Sequence, residues 1–133
     1  MNYETTTLAL FTILMSVGYA NYEYSLIKQD IPITREMKVG RFIERFAMAV
    51  LFMLILGKIN GYSVPKYLVG LSTIGFGFWF WFDFNLNKLR GKKWYYTGEN
   101  SDLDDFKSLS PIVINISIFI LHHLSLLLFA NIK

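Results

Sequence analysis

Apolar residues fill four stretches of the chain, and charged residues fall between them. No Asp, Glu, Lys or Arg occurs in residues 5–22, 46–57, 67–82 or 108–132, windows of 18, 12, 16 and 25 residues. Apolar runs of about 20 residues match the ~30 Å hydrocarbon core of a bilayer. The pattern predicts an all-α integral membrane protein, a four-helix bundle with spans over residues 5–27, 39–58, 65–89 and 111–132. All 133 residues belong to one domain, with residues 90–110 as its longest connector.

Polar residues inside the spans are periodic. In the first, Thr5, Thr12, Ser16, Tyr19 and Glu23 step by +7, +4, +3 and +4, which is one stripe of a helix. Such a stripe suits protein or water, and the Leu, Phe, Ile and Met on the other face suit lipid. In the third span Ser72, Gly75, Trp79, Asp83, Asn87 and Arg90 step by +3, +4, +4, +4 and +3. They make a second stripe, polar toward its C-terminal end. The run Phe76-Gly-Phe-Trp-Phe-Trp-Phe82 covers every face and fits an aromatic belt at the bilayer boundary.

The second span has an uncharged core of only 12 residues. Arg41, Glu44 and Arg45 therefore occupy its first turns, where they share a face and can snorkel to the head groups. Pro32 interrupts the connector before it, Thr34 can start an amphipathic lead-in, and Pro65 suits the start of span three. In the last connector Ser101 can cap a short interfacial amphipathic helix. Its first turns hold Asp102, Asp104 and Asp105, with Leu103, Phe106 and Leu109 as apolar contacts.

Composition agrees with the pattern. The chain is 53% hydrophobic and 17% charged, below the ~25% charged residues of soluble domains. Its net charge of +3 comes from 13 Lys and Arg against 10 Asp and Glu, but the cations flank apolar windows and form no face for nucleic acid. Connectors one and three with their flanks hold ten of the cations, and the opposite side holds Lys58, Lys66 and Lys133. The positive-inside bias then places both connectors in the cytoplasm and both termini outside. Gly18-Tyr19-Ala20 imitates a signal cleavage site, yet no Lys or Arg precedes Lys28, so a retained helix is expected. With no cysteine there is no thiolate chemistry.

On a common depth scale the polar residues converge. Glu23, Arg41, Glu44, Arg45, Asp83 and Asn87 all fall near the cytoplasmic ends of their spans, with Arg90 and Asp104 extending the group. One reading is an internal network in which Arg41, Glu44, Arg45 and Arg90 exchange ion pairs. The sharper one is a polar vestibule for an ion path or small ligand. His122 lies eleven residues beyond Pro111, about 16 Å into the membrane, with Asn115 on nearly the same face. A neutral buried histidine and a proton- or ion-pathway residue both suit that depth. Haem or metal at His122 or His123 is the remoter alternative, because adjacent histidines diverge by about 100° on a helix. No cofactor or protein metal site is otherwise expected.

These features lead to a homo-oligomeric channel, pore or small transporter, with Glu23, Asp83, Asn87, Asn115 and His122 along its path. The alternative is an accessory subunit without chemistry of its own. Its contact with a membrane partner or anionic lipid would be the strip Lys92, Lys93, Trp94, Tyr95 and Tyr96. Nothing in the sequence supplies an enzyme's catalytic constellation.

Overall fold

Local signals set the helix ends. The Thr34 hydroxyl accepts from the Met37 N–H, and Glu36 adds a carboxylate to the same first turn. The Glu36 carboxyl is held below its usual range by backbone N–H donation at the helix start and by the Thr34 hydroxyl. At the far end Gly61 turns into the left-handed region at φ 67°, and the Tyr62 N–H caps the Gly57 carbonyl at 3.0 Å. Pro65 sits in the first turn of the next helix, and Gly91 at φ 65° turns the chain out of it.

The computed structural model describes residues 3–96 and 110–132. Those residues form four helices and no strand: α1 Tyr3–Lys28, α2 Arg35–Asn60, α3 Val64–Leu89 and α4 Pro111–Asn131. The lead-in from Thr34 and the second span are one continuous helix, longer at both ends than the 39–58 expected, because the cap and the Gly61 turn fix its limits. The interfacial helix expected over Ser101, Asp102, Leu103, Asp104, Asp105, Phe106 and Leu109 lies outside the described residues.

α3 is the central helix. It packs mainly on α1 and α4, less on α2. Glu4 meets Lys66 and Ser16 meets the Phe78 carbonyl, so α1 and α3 run in the same direction. His122 meets Thr73 and Phe119 meets Phe80, so α4 runs against them. α2 also runs against α1, with Phe52 stacked on Phe11 and Arg41 paired to Glu23.

Small residues permit the close approaches. A β-carbon on Gly77 would strike the His122 ring, leaving no room for a side chain, and one on Gly70 would displace the end of the Met53 side chain. The buried face of α3 is consequently Lys66, Gly70, Thr73, Gly77 and Phe80. The α1 stripe is buried at Thr5, Thr12 and Ser16. The α3 stripe behaves differently: Ser72, Gly75 and Trp79 are exposed, and only Asn87 at its end is buried.

By length and composition one helix among the described residues, Pro111–Asn131, is suited to crossing a membrane, with a mean hydropathy of 2.2. Hydroxyls dilute α1, and the charged first turns dilute α2.

Candidate functional site

The polar groups gather at three levels. At the first end, the Lys66 ammonium lies in the first turn of α3, where a positive charge opposes the helix dipole. It is buried and satisfied from outside the helix. Its Nζ donates to Glu4 Oε2 at 2.8 Å and lies 4.6 Å from the Tyr62 ring centre and 5.2 Å from that of Phe129. Burial, with the Glu4 charge beside it, pushes the Tyr62 phenol well above its usual value.

At the middle level the hydroxyls turn inward and bond to their own helices. Thr12 donates to the Leu8 carbonyl, Ser16 to Thr12, Thr73 to Val69, and Ser125 to His122. Two members also cross between helices: Ser16 reaches the Phe78 carbonyl at 3.4 Å, and His122 reaches α3. The His122 Nδ1–H donates to the Thr73 carbonyl at 3.1 Å, which assigns the neutral ring the Nδ1–H tautomer. Asn115 shares the buried face of α4 with His122 but donates within α4, to the Pro111 carbonyl. His123 is exposed, donates to the Phe119 carbonyl at 2.9 Å, and lies tilted by 46° against the Phe119 ring. The two imidazoles stand 83° apart in plane, and no group of three metal-ligating side chains occurs among the described residues.

The second end holds most of the residues that the sequence grouped together. Arg41 Nη1 donates to Glu23 Oε2 at 2.9 Å, and its Nε donates to the Met37 carbonyl. Arg45 pairs differently: its guanidinium carbon lies 4.7, 4.9 and 5.2 Å from the rings of Tyr19, Phe78 and Phe82. Glu44 is exposed. Asp83 accepts from Trp79 Nε1 one turn away at 3.1 Å and enters no ion pair among the described residues. Of the four residues expected to exchange ion pairs, Arg41 does so, whereas Arg45 and Arg90 lie over aromatic rings. Aromatic residues crowd this level from three helices, so a ring is the nearest partner for a second guanidinium.

Asn87 is buried and donates to the carbonyls of Trp94 and Tyr96, at 3.1 and 2.7 Å. These bonds fold the chain back over the end of α3. Tyr96 receives both Arg90 and Lys92 on its ring, and Lys93 lies over Tyr95.

Sequence reasoning missed the Glu4–Lys66 pair with its two rings. Lys66 stands at a helix start, where a lysine reads as a boundary charge, but it shares a face with Gly70, Thr73 and Gly77. No family model matches the chain, and no curated protein or solved structure matches it.

Proposed function

We propose that the protein is a four-span integral membrane protein that works as a homo-oligomer, forming a channel, pore or small transporter whose polar path lies between copies. A membrane setting is supported by the inverted distribution of side chains. Thr5, Thr12, Ser16, Thr73, Asn115, His122 and Ser125 are buried, while Phe42, Phe46, Leu51, Leu54, Ile59, Leu124 and Leu127 are exposed. Water would favour the reverse, and lipid favours this. At ~1.5 Å per residue, helices of 26 residues reach about 39 Å. That exceeds ~30 Å of hydrocarbon and leaves the charged first turns of α2 at head-group level. The positive-inside bias puts the connectors after α1 and α3 in the cytoplasm.

The outward face of α3 carries the oligomer. The middle of a single chain is filled by Thr12, Gly77 and His122 in contact. Ser72 and Trp79 instead face outward with Asp83 half-buried beside them, on a surface otherwise apolar. A carboxylate at that position is costly against lipid and tolerable against a second copy or a water-filled path.

Proteoliposomes test the reading. Ion flux that falls in Asp83→Asn, from an assembly of several identical chains by native mass spectrometry, supports it. A monomer in liposomes that stay tight across pH and voltage overturns it.

A second reading, an accessory subunit, draws on the strip that Asn87 holds over the end of α3. It predicts a membrane partner that co-purifies with the wild type and is lost when Trp94, Tyr95 and Tyr96 become Ala. Co-purification that survives the triple substitution removes that reading.

A further inference from the structure

α2 packs unevenly along its length. Toward Asn60 it closes on α3, with Gly57 against the Tyr67 ring and Met53 against Gly70. Toward Arg35 it parts from α1 and leaves a groove of about 450 Å³, within the ~300–1,000 Å³ range of small-molecule sites. Leu14, Met15, Gly18, Tyr19 and Tyr22 form one wall, Met48 forms part of the other, and Arg41 and Glu44 also line it; the Tyr19 hydroxyl reaches across to Met48 Sδ at 3.6 Å. A β-carbon on Gly18 would meet nothing within 4 Å, so the groove is open there.

Depth gives the groove a polarity. Arg41 lies six residues from the start of α2, about 9 Å along the helix, at head-group level in the four-span reading. Leu14 lies fourteen residues from Lys28, about 21 Å along α1 and well into hydrocarbon. The lining is therefore charged at one end, carries the Tyr19 and Tyr22 phenols next to it, and is apolar below them, which is the profile of an amphiphile. Arg41 is 7% exposed, and its Nη2 is buried without a hydrogen-bond partner, although Nη1 and Nε are both engaged. An arginine offers five N–H donors in a fork that matches phosphate oxygens.

Charge narrows the head group. The Arg41 charge is already balanced by Glu23, and Glu44 adds an exposed negative charge to the same lining. A ligand bringing only negative charge adds to that of Glu44, which faces the Tyr19 hydroxyl and the Arg45 charge, whereas one bringing a phosphate and an amine answers both residues.

We propose that this groove binds one zwitterionic phospholipid per chain, of the phosphatidylethanolamine type. A phosphate oxygen accepts from Arg41, the amine lies toward Glu44, and an acyl chain runs along Leu14, Met15, Gly18 and Met48. The proposal rests on the membrane reading, and it is independent of subunit number and of flux.

The test uses the full chain in liposomes containing equal phosphatidylethanolamine and phosphatidylglycerol. Flotation reports insertion, and native mass spectrometry after gentle extraction counts retained lipids per chain. The wild type is expected to retain one phosphatidylethanolamine. Gly18→Leu fills the groove from α1 and leaves the Arg41–Glu23 pair in place, and Met48→Trp narrows it from α2. Both variants are expected to float, keep their helical circular dichroism and lose the bound lipid. Equal retention in either folded variant, or preferential retention of phosphatidylglycerol by the wild type, overturns the proposal. Wild-type protein that fails to float overturns the membrane reading and the lipid site with it.

Discussion

The imidazole of His122 occupies the space that a side chain at position 77 would need. A β-carbon on Gly77 would fall 2.6 Å from His122 Nδ1 and 2.7 Å from the Thr12 methyl carbon, so one missing side chain brings three helices together. The hydrogen bond from that ring to the Thr73 carbonyl depends on the same approach.

Gly77→Ala therefore forces α1, α3 and α4 apart, at about 1–3 kcal/mol for overpacking. Gly75, two positions away, has nothing within 4 Å of its β-position, so Gly75→Ala leaves stability unchanged or slightly raised. Thermal melts of both variants in one detergent check this. Equal destabilisation would contradict the packing.

The Glu23–Arg41 pair should show coupling in a double-mutant cycle. Both side chains are largely buried, at 17% and 8% exposure, and removing one partner strands the other charge. Glu23→Gln and Arg41→Met alone each destabilise by roughly 1–3 kcal/mol, and the double variant loses less than their sum. Strict additivity in chemical denaturation would show that the pair adds nothing.

Alkaline pH should loosen the Lys66 end. The folded protein holds the Tyr62 phenol above its usual value of 10.0, through burial and the Glu4 charge. A raised phenol value favours the protonated form in the fold. The associated stability is complete below about pH 10 and declines as pH rises toward the folded value. Tyr62→Phe removes that part of the alkaline decline, and melting curves from pH 8 to 11.5 measure it.

Asn87→Ala releases the strip that follows α3. Its two hydrogen bonds, to Trp94 and Tyr96, contribute about 1 kcal/mol each. Trypsin cleavage at Lys92 and Lys93 should accelerate roughly tenfold or more as the strip opens locally. Asn87→Asp, which cannot donate to either carbonyl when ionised, should behave like the alanine variant.

How far the fold was legible differs between α1 and α3. In α1 the hydroxyls Thr5, Thr12 and Ser16 stand against large aliphatic residues, so polarity alone picks the face that is buried. α3 is apolar and aromatic on almost every side, and as the central helix it meets neighbours in several directions. There the space left by Gly70 and Gly77 decides the buried face, and Ser72 and Trp79 turn outward. At the candidate site, proximity of Glu23 to Arg41 followed from depth. The seating of Arg45 among Tyr19, Phe78 and Phe82 depends on side-chain packing between three helices. The Glu4–Lys66 pair joins residues 62 positions apart, beyond the reach of any local spacing.

That separation bears on the order of assembly. α1 is fastened at one end by Glu23 to α2 and at the other by Glu4 to α3. During synthesis Arg41 emerges 18 residues after Glu23, whereas Lys66 emerges 62 residues after Glu4. At ~5–20 residues per second that is a wait of about 3–12 s. The Glu4 end of α1 is thus completed only once α3 has begun to emerge, after the Glu23 end already has its partner.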